Sequence, residues 1–282
     1  MAIGCRVISI SMGGVPNKRW ANAINAAYEA GVVVVAAAGN RFGPSPPTTM
    51  VYPARFHRVI AACGATHDKD PYYRPGVHRQ MQGCFGPDGR MASAIAGFTP
   101  NIPWATFGGG DQVNLDGSGT SAATPQIAAA AALWLQQHIP VLPDNDRWQV
   151  VEAVRHALFS TADNRDMSCF GAGLLRADAA LAVKPRFDLE PTPKANVRFK
   201  WLRLIFGLEA IEPTSARQEL FKNEALQLYL LSTEMQEFLD NAHPDDDIDE
   251  SKARALLDMM SNSPAASEAL KRHLGTLLGD LD

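Results

Sequence analysis

The chain alternates between short, almost wholly apolar runs and stretches whose apolar residues recur every three or four positions. Residues 7–11 and 32–38 are runs of the first kind, rich in valine and isoleucine and closed by glycine, and they predict buried strands over 7–11 and 32–37. Between them Trp20, Ala23, Ile24, Ala27 and Tyr28 fall at helical spacing, Asn17 is a capping residue and Gly31 a terminator, which predicts a helix over 17–30. A third strand is expected at 58–63, and the run Gln126-Ile127-Ala128-Ala129-Ala130-Ala131-Ala132-Leu133-Trp134 reads as a buried helix. Strands separated by helices imply an α/β fold, a mostly parallel sheet between helices. Ligands in such sheets bind at the carboxyl ends of the strands, here Met12-Gly13-Gly14 and Ala38-Gly39-Asn40.

The pattern changes after Val183. Residues 184–196 are proline-rich and read as a linker. Residues 197–282 carry a helical rhythm: Phe221, Ala225, Leu228, Leu231, Met235 and Phe238 recur at steps of three and four, as do Leu270, Leu274, Leu277 and Leu281. Ser263-Pro264, with Glu268 nearby, is expected to start the last helix. Loop-forming residues dominate 66–118, where Gly108-Gly109-Gly110-Asp111 lacks the Gly-Lys-Ser/Thr ending of a phosphate loop.

Composition narrows the function classes. The chain has 282 residues, 46% of them apolar, enough for one mid-sized core and an appendage. Its net charge of -4 and the absence of a basic patch interleaved with aromatics argue against nucleic acid as a partner. No apolar run is long enough to span a bilayer. Met1-Ala2-Ile3-Gly4-Cys5-Arg6 does not have the charged-then-apolar layout of a secretory signal, and the compartment stays open. Cys5, Cys63, Cys84 and Cys169 form no Cys-x-x-Cys pair, so a zinc site is not expected. The acidic run 245–250 reads as a solvated loop and helix start.

Chemistry concentrates at Gly119-Thr120-Ser121-Ala122-Ala123-Thr124-Pro125, which follows the turn-forming Asp116-Gly117-Ser118. Thr120 is expected as the helix N-cap, placing Ser121 in the first turn. Backbone N–H groups there have no intrahelical partner and lie at the positive end of the macrodipole, which favours a developing oxyanion. Pro125 cannot donate to the carbonyl of Ser121, so a local distortion is expected. A capped Ala-rich helix accounts for the same residues without catalysis.

The string Gly-Thr-Ser-x-Ala-x-Pro resembles the nucleophile motif of the subtilisin-like serine peptidases, the subtilases. Ser9-Ile10-Ser11-Met12-Gly13-Gly14, Ala37-Ala38-Gly39-Asn40, Tyr52-Pro53-Ala54 with the strand after it, and Gly171-Ala172-Gly173 with the segment after it resemble that family in its own order, through residues 1–183. The resemblance implies a serine endopeptidase with a subtilisin-like three-layer fold. Ser121 would be the nucleophile and Asn40 the side-chain donor of the oxyanion hole. Ser11, Met12 and Gly13 on one side, Ala37, Ala38 and Gly39 on the other, with Thr120, would bind an extended polypeptide substrate, the small residues leaving a roomy apolar pocket. Calcium is implied by the resemblance alone, with no matching ligand loop.

One departure qualifies this. In subtilases a catalytic Asp and His precede the substrate strand, and neither segment is present here. His57, His67, His78, His138, His156, His243 and His273 all follow that strand, none in the family's His-Gly-Thr context. The expectation is therefore the C-terminal part of a catalytic domain, inactive alone, whose partner is the N-terminal part of the same enzyme. A non-catalytic peptide-binding relative is the alternative.

Overall fold

A computed structural model describes residues 4–14, 16–41, 49–73, 82–86, 88–163, 166–196, 215–240 and 250–280. His78, His243, Leu281 and positions 245–249 lie outside the described residues. The chain forms two compact units, residues 1–196 and 197–282.

In the first unit the elements run β1 (Val7–Ile10), α1 (Lys18–Glu29), β2 (Val33–Ala37), β3 (Asn40–Arg41), β4 (Ile60–Ala65) and β5 (Gln82–Gly83). Then follow α2 (Asp88–Met91), β6 (Ala94–Phe98), β7 (Ile102–Ala105), β8 (Val113–Gly117), α3 (Thr120–His138), α4 (Trp148–Ser160), α5 (Met167–Phe170) and α6 (Ala177–Leu181). Strands β1, β2, β4 and β6 form a parallel sheet in the order β1-β2-β4-β6, with Val35 beside Ser9 and Ile60. Helices flank it, as an α/β fold requires.

Residues of β2 are buried at all five positions, because the strand is central and side chains alternate between two covered faces. Val33, Val35, Ile60, Ala62 and Ile95 pack on one face with Ile127, Ala131 and Trp134 of α3 and Val150, Val154 and Leu158 of α4. Helix α3 runs against β1, β2, β4 and β6 and is the main cover of that face. Its length and apolar periphery follow from the alanine run: small side chains let the helix approach the sheet closely while its larger residues fill the core.

Three expectations shift. Strand β1 was expected to be buried, yet Ser9 and Ile8 are exposed, because the strand is the edge of the described sheet. Asn17 caps α1 through its side chain, accepting from Trp20 N–H at 2.9 Å, but Ala21 takes the buried position expected of Ala23. Strand β6 and the antiparallel β7–β8 pair were not foreseen. Alanine and glycine carry little strand signal in β6, and the glycines 108–110 that read as a loose approach instead close the β7–β8 hairpin.

Residues 184–196 belong to the first unit and carry no regular structure. A buried polar cluster fastens them. Tyr28 Oη donates to Glu152 Oε1 at 2.6 Å, and Thr192 N–H donates to Tyr28 Oη at 2.8 Å. Arg58 lies 4.0 Å from the Tyr28 ring centroid and donates to the Thr192 carbonyl at 3.0 Å, while Asn25 exchanges two hydrogen bonds with the Ala195 backbone. Burial and the Glu152 contact raise the Tyr28 phenol well above its ordinary range. Burial pulls Arg155 down, opposed by Glu152 at 3.6 Å.

In the second unit lie α7 (Ala216–Leu231), α8 (Thr233–Asp240), α9 (Glu250–Ser261) and α10 (Glu268–Asp280). The periodic run 221–238 is two helices, not one, because Ser232 breaks it and its hydroxyl accepts from Met235 N–H. Ser267, rather than Ser263, opens the last helix: its hydroxyl accepts from Leu270 N–H at 3.1 Å and donates to Glu224.

Two outcomes are expected. Glu152→Ala leaves Arg155 buried beside no carboxylate, so denaturant unfolding of the first unit should show a loss of about 3–5 kcal/mol, and Glu152→Gln, which keeps an oxygen acceptor for Tyr28 but not the charge, should recover only part of it. Burial pushes the Cys63 and Cys84 thiols up from 9.0 to about 12. A raised folded-state value favours the neutral thiol, so their contribution is complete below pH 9.0 and lost as pH climbs towards about 12. Unfolding free energy should therefore fall over that window, and fall less steeply when both cysteines are replaced by alanine.

Candidate active site

Thr120 is not the helix cap. Gly119 is, at φ 77° and ψ 175°, a left-handed φ that glycine adopts without strain, and it makes no side-chain cap bond. Thr120 is instead the first residue of α3, fully buried, and its polar groups reach the end of β2. Its hydroxyl accepts from Gly39 N–H at 3.1 Å and faces the Gly39 carbonyl at 3.0 Å. Its own N–H donates to Asn40 Oδ1 at 2.8 Å. That bond identifies the Asn40 oxygen and turns the amide nitrogen the other way. The carboxyl end of β2 and the start of α3, 80 residues apart, are thus one rigid junction.

Ser121, half-buried, is the second helical residue. Neither its N–H nor Asn40 Nδ2 hydrogen-bonds to any described residue. Among the described residues these two donors have no partner, and Ser121 N–H lies at the positive end of a 19-residue helix. Pro125 does not break that helix. The three first-turn carbonyls each receive a side-chain donor: Thr120 from Thr124 Oγ1 at 2.7 Å, Ser121 from Ser11 Oγ at 2.9 Å, and Ala122 from Gln126 Nε2 at 2.8 Å. The Ser121 carbonyl that Pro125 leaves without an intrahelical partner is met by Ser11, from the end of β1. In return Ser121 Oγ donates to the Ser11 carbonyl at 3.3 Å.

The structure brings Ser11, Ser121, Thr120, Gly39 and Asn40 into one neighbourhood, with Met12 and Gly13 exposed beside Ser11 and Ala37 and Ala38 buried behind Gly39. The Val51 side chain lies against both Gly13 and Gly39, where a methyl group built on either glycine would meet it. Sequence reasoning missed Val51, and it missed the Ser11 hydroxyl as a partner of α3. Only Pro125 hinted at the second, by freeing an acceptor.

No imidazole hydrogen-bonds to Ser121 among the described residues. His57 contacts Arg90, His67 pairs with Asp68, and His138 ends α3 against Trp134. Among the described residues no group of three or more His, Cys, Asp or Glu side chains is placed to hold a metal ion. Likewise, no described helix is long and apolar enough to cross a membrane.

The model of the subtilase family matches residues 1–177. Subtilisin DY from Bacillus licheniformis is 33% identical over 180 residues, covering 63% of this chain and 57% of that protein. Subtilisin BL from Lederbergia lenta is 30% identical over 179 residues, covering 63% and 56%. The chain thus spans little more than half the length of these relatives. Among solved structures, the patellamide maturation protease PatA is similar at a TM-score of 0.50 and 24% identity, covering 64% of this chain and 63% of that one. The PatG macrocyclase in complex with peptide gives 0.50 and 21%, covering 64% and 51%. At these identities the two share the fold.

Removing the Thr120 hydroxyl tests the junction. Thr120→Val leaves the Gly39 N–H buried without its acceptor and should lower unfolding free energy by about 1–3 kcal/mol. Thr120→Ser, which keeps the oxygen, should lose less in the same measurement.

Proposed function

The chain belongs to the subtilase family, and we propose that it supplies the nucleophile and the oxyanion donors of a serine endopeptidase whose general base and orienting carboxylate come from polypeptide outside these residues. One observation carries the reading: the hydrogen bond from Thr120 N–H to Asn40 Oδ1, adjacent in sequence to Ser121. It leaves the Asn40 amide nitrogen outside the junction, and Ser121 N–H has no partner among the described residues, so both donors are available to a developing oxyanion.

An extended peptide would pair with residues 11–13, which are exposed where β1 ends. Ser121 Oγ attacks the carbonyl carbon as the base takes its proton. The carbonyl π pair moves onto oxygen, which accepts from Ser121 N–H and Asn40 Nδ2. Collapse of this intermediate breaks the C–N bond, the amine leaves with the proton, and water then hydrolyses the Ser121 ester. Without a base the Ser121 hydroxyl keeps its proton and donates to the Ser11 carbonyl, which is too weakly basic to take it in catalysis.

Peptide hydrolysis by the chain alone should therefore equal that of its Ser121→Ala variant. Fusing an Asp- and His-bearing subtilase segment ahead of residue 5 should give turnover that Ser121→Ala abolishes. In that fusion Asn40→Ala should lower kcat by roughly 10²–10³-fold, the usual effect of removing one oxyanion donor. Turnover by the unfused chain that depends on Ser121 would refute the assignment of an external base. A fusion that folds and binds peptide without cleaving it would favour the peptide-binding alternative.

A further inference from the structure

The second unit holds a cleft of about 340 Å³ between the start of α7 and the middle of α10, a volume within the range of small-ligand sites. Its floor is aromatic. Phe221 is buried, and the His273 ring stacks on it with centroids 4.9 Å apart and planes 17° apart. The Arg217 guanidinium lies 5.3 Å from the same ring centroid, so α7 and α10 bring polar groups to one apolar base.

The rim is cationic, with Arg217 from the first turn of α7 and Arg272 from α10, both exposed. Neither guanidinium meets a carboxylate among the described residues. Arg272 Nε donates to the Glu268 carbonyl at 3.1 Å, which leaves its two Nη groups without a described partner. The Glu268 carboxylate pairs instead with Lys271 at 3.2 Å, and Glu219, two positions after Arg217, lies on another side of α7. Ser215, the cap of α7, accepts from Gln218 N–H at 3.3 Å and keeps its own O–H proton to give. Thr276 already donates to the Arg272 carbonyl at 3.1 Å. A chain of net charge -4 thus gathers two guanidinium groups at one cleft with no described carboxylate to offset them. Like charges repel, and an anion seated between them removes that cost.

We propose that this cleft binds a phosphomonoester group. Two arginine forks and the Ser215 O–H offer more donors than the two oxygens of a carboxylate engage, and they match the three terminal oxygens of a phosphate. The cleft also lies at the positive end of the 16-residue helix α7, which favours the same charge. The site does not depend on the peptidase reading, because all of its residues belong to the second unit.

The test is isothermal titration calorimetry of the full 282-residue chain at fixed ionic strength with inorganic phosphate, acetate and a phosphoserine hexapeptide. Phosphate should bind at one site per chain, and acetate about 10-fold more weakly or worse. Arg217→Gln and Arg272→Gln should each weaken phosphate about 10-fold or more, the worth of one hydrogen bond to a charged group. Lys222→Gln, which removes a cation of α7 outside the cleft, should leave binding unchanged. Arg217→Lys keeps the charge without the fork and should restore only part of the affinity. Because both arginines are exposed, the variants should keep the far-UV circular dichroism of the parent. A phosphoserine peptide that binds tighter than inorganic phosphate makes the source a phosphorylated polypeptide; equal or weaker binding makes it free phosphate or a small phosphorylated molecule. Absence of phosphate binding by the unaltered chain overturns the proposal, as does binding that the arginine variants keep, that Lys222→Gln weakens equally, or that acetate matches.

Discussion

A single threonine joins the two parts of the chain on which everything at the site depends. Thr120 is fully buried at the start of α3, yet its hydroxyl and N–H are satisfied only by Gly39 and Asn40 at the end of β2. An unsatisfied polar group there would cost about 1–3 kcal/mol, so the helix start and the strand end are not free to move apart. Because both are also locked into the core, through Ile127, Ala131 and Trp134 on one side and Val33 and Val35 on the other, the junction inherits the rigidity of the packed interior.

That rigidity gives Ser121 its surroundings. A helix N-terminus offers unpaired N–H groups by construction, but only a fixed neighbour makes them a site. Here the neighbours are fixed twice, by Thr120 to Asn40 and by Ser11 to the carbonyl that Pro125 leaves open. The proline thus exchanges a hydrogen bond inside the helix for one to the end of β1, and three strand or helix ends meet at one residue. Membership of the subtilase family agrees with this convergence.

Much of the fold was legible where local signals agree. Asn17 before α1 and the apolar runs of β2 and β4 carry capping and burial information within a few residues. Signals failed where small residues blur them. Strand β6, Ala-Ile-Ala-Gly-Phe, has little propensity of its own and forms because β4 and the segment 171–175 offer it partners. The run 221–238 keeps its period through Ser232, so periodicity alone does not mark the break where the serine hydroxyl starts a second helix. The exposure of β1 followed from its position at the sheet edge, which no local pattern encodes.

The candidate site divides the same way. Sequence alone determined which residue types are present: a Gly-Thr-Ser turn before an apolar helix, a strand ending in Gly-Asn, and a glycine pair after the first strand. These are properties of short segments, so the chain states them directly. Only the tertiary structure decided that Thr120 is a clamp rather than a cap, that Ser11 completes the first turn of α3, and that Val51 lies against both Gly13 and Gly39. Each is a contact between residues 12 to 110 positions apart, counting Gly39 to Val51 as the shortest and Ser11 to Ser121 as the longest. Such contacts are set by how the sheet and helices pack, and packing is a property of the whole core rather than of any stretch within it.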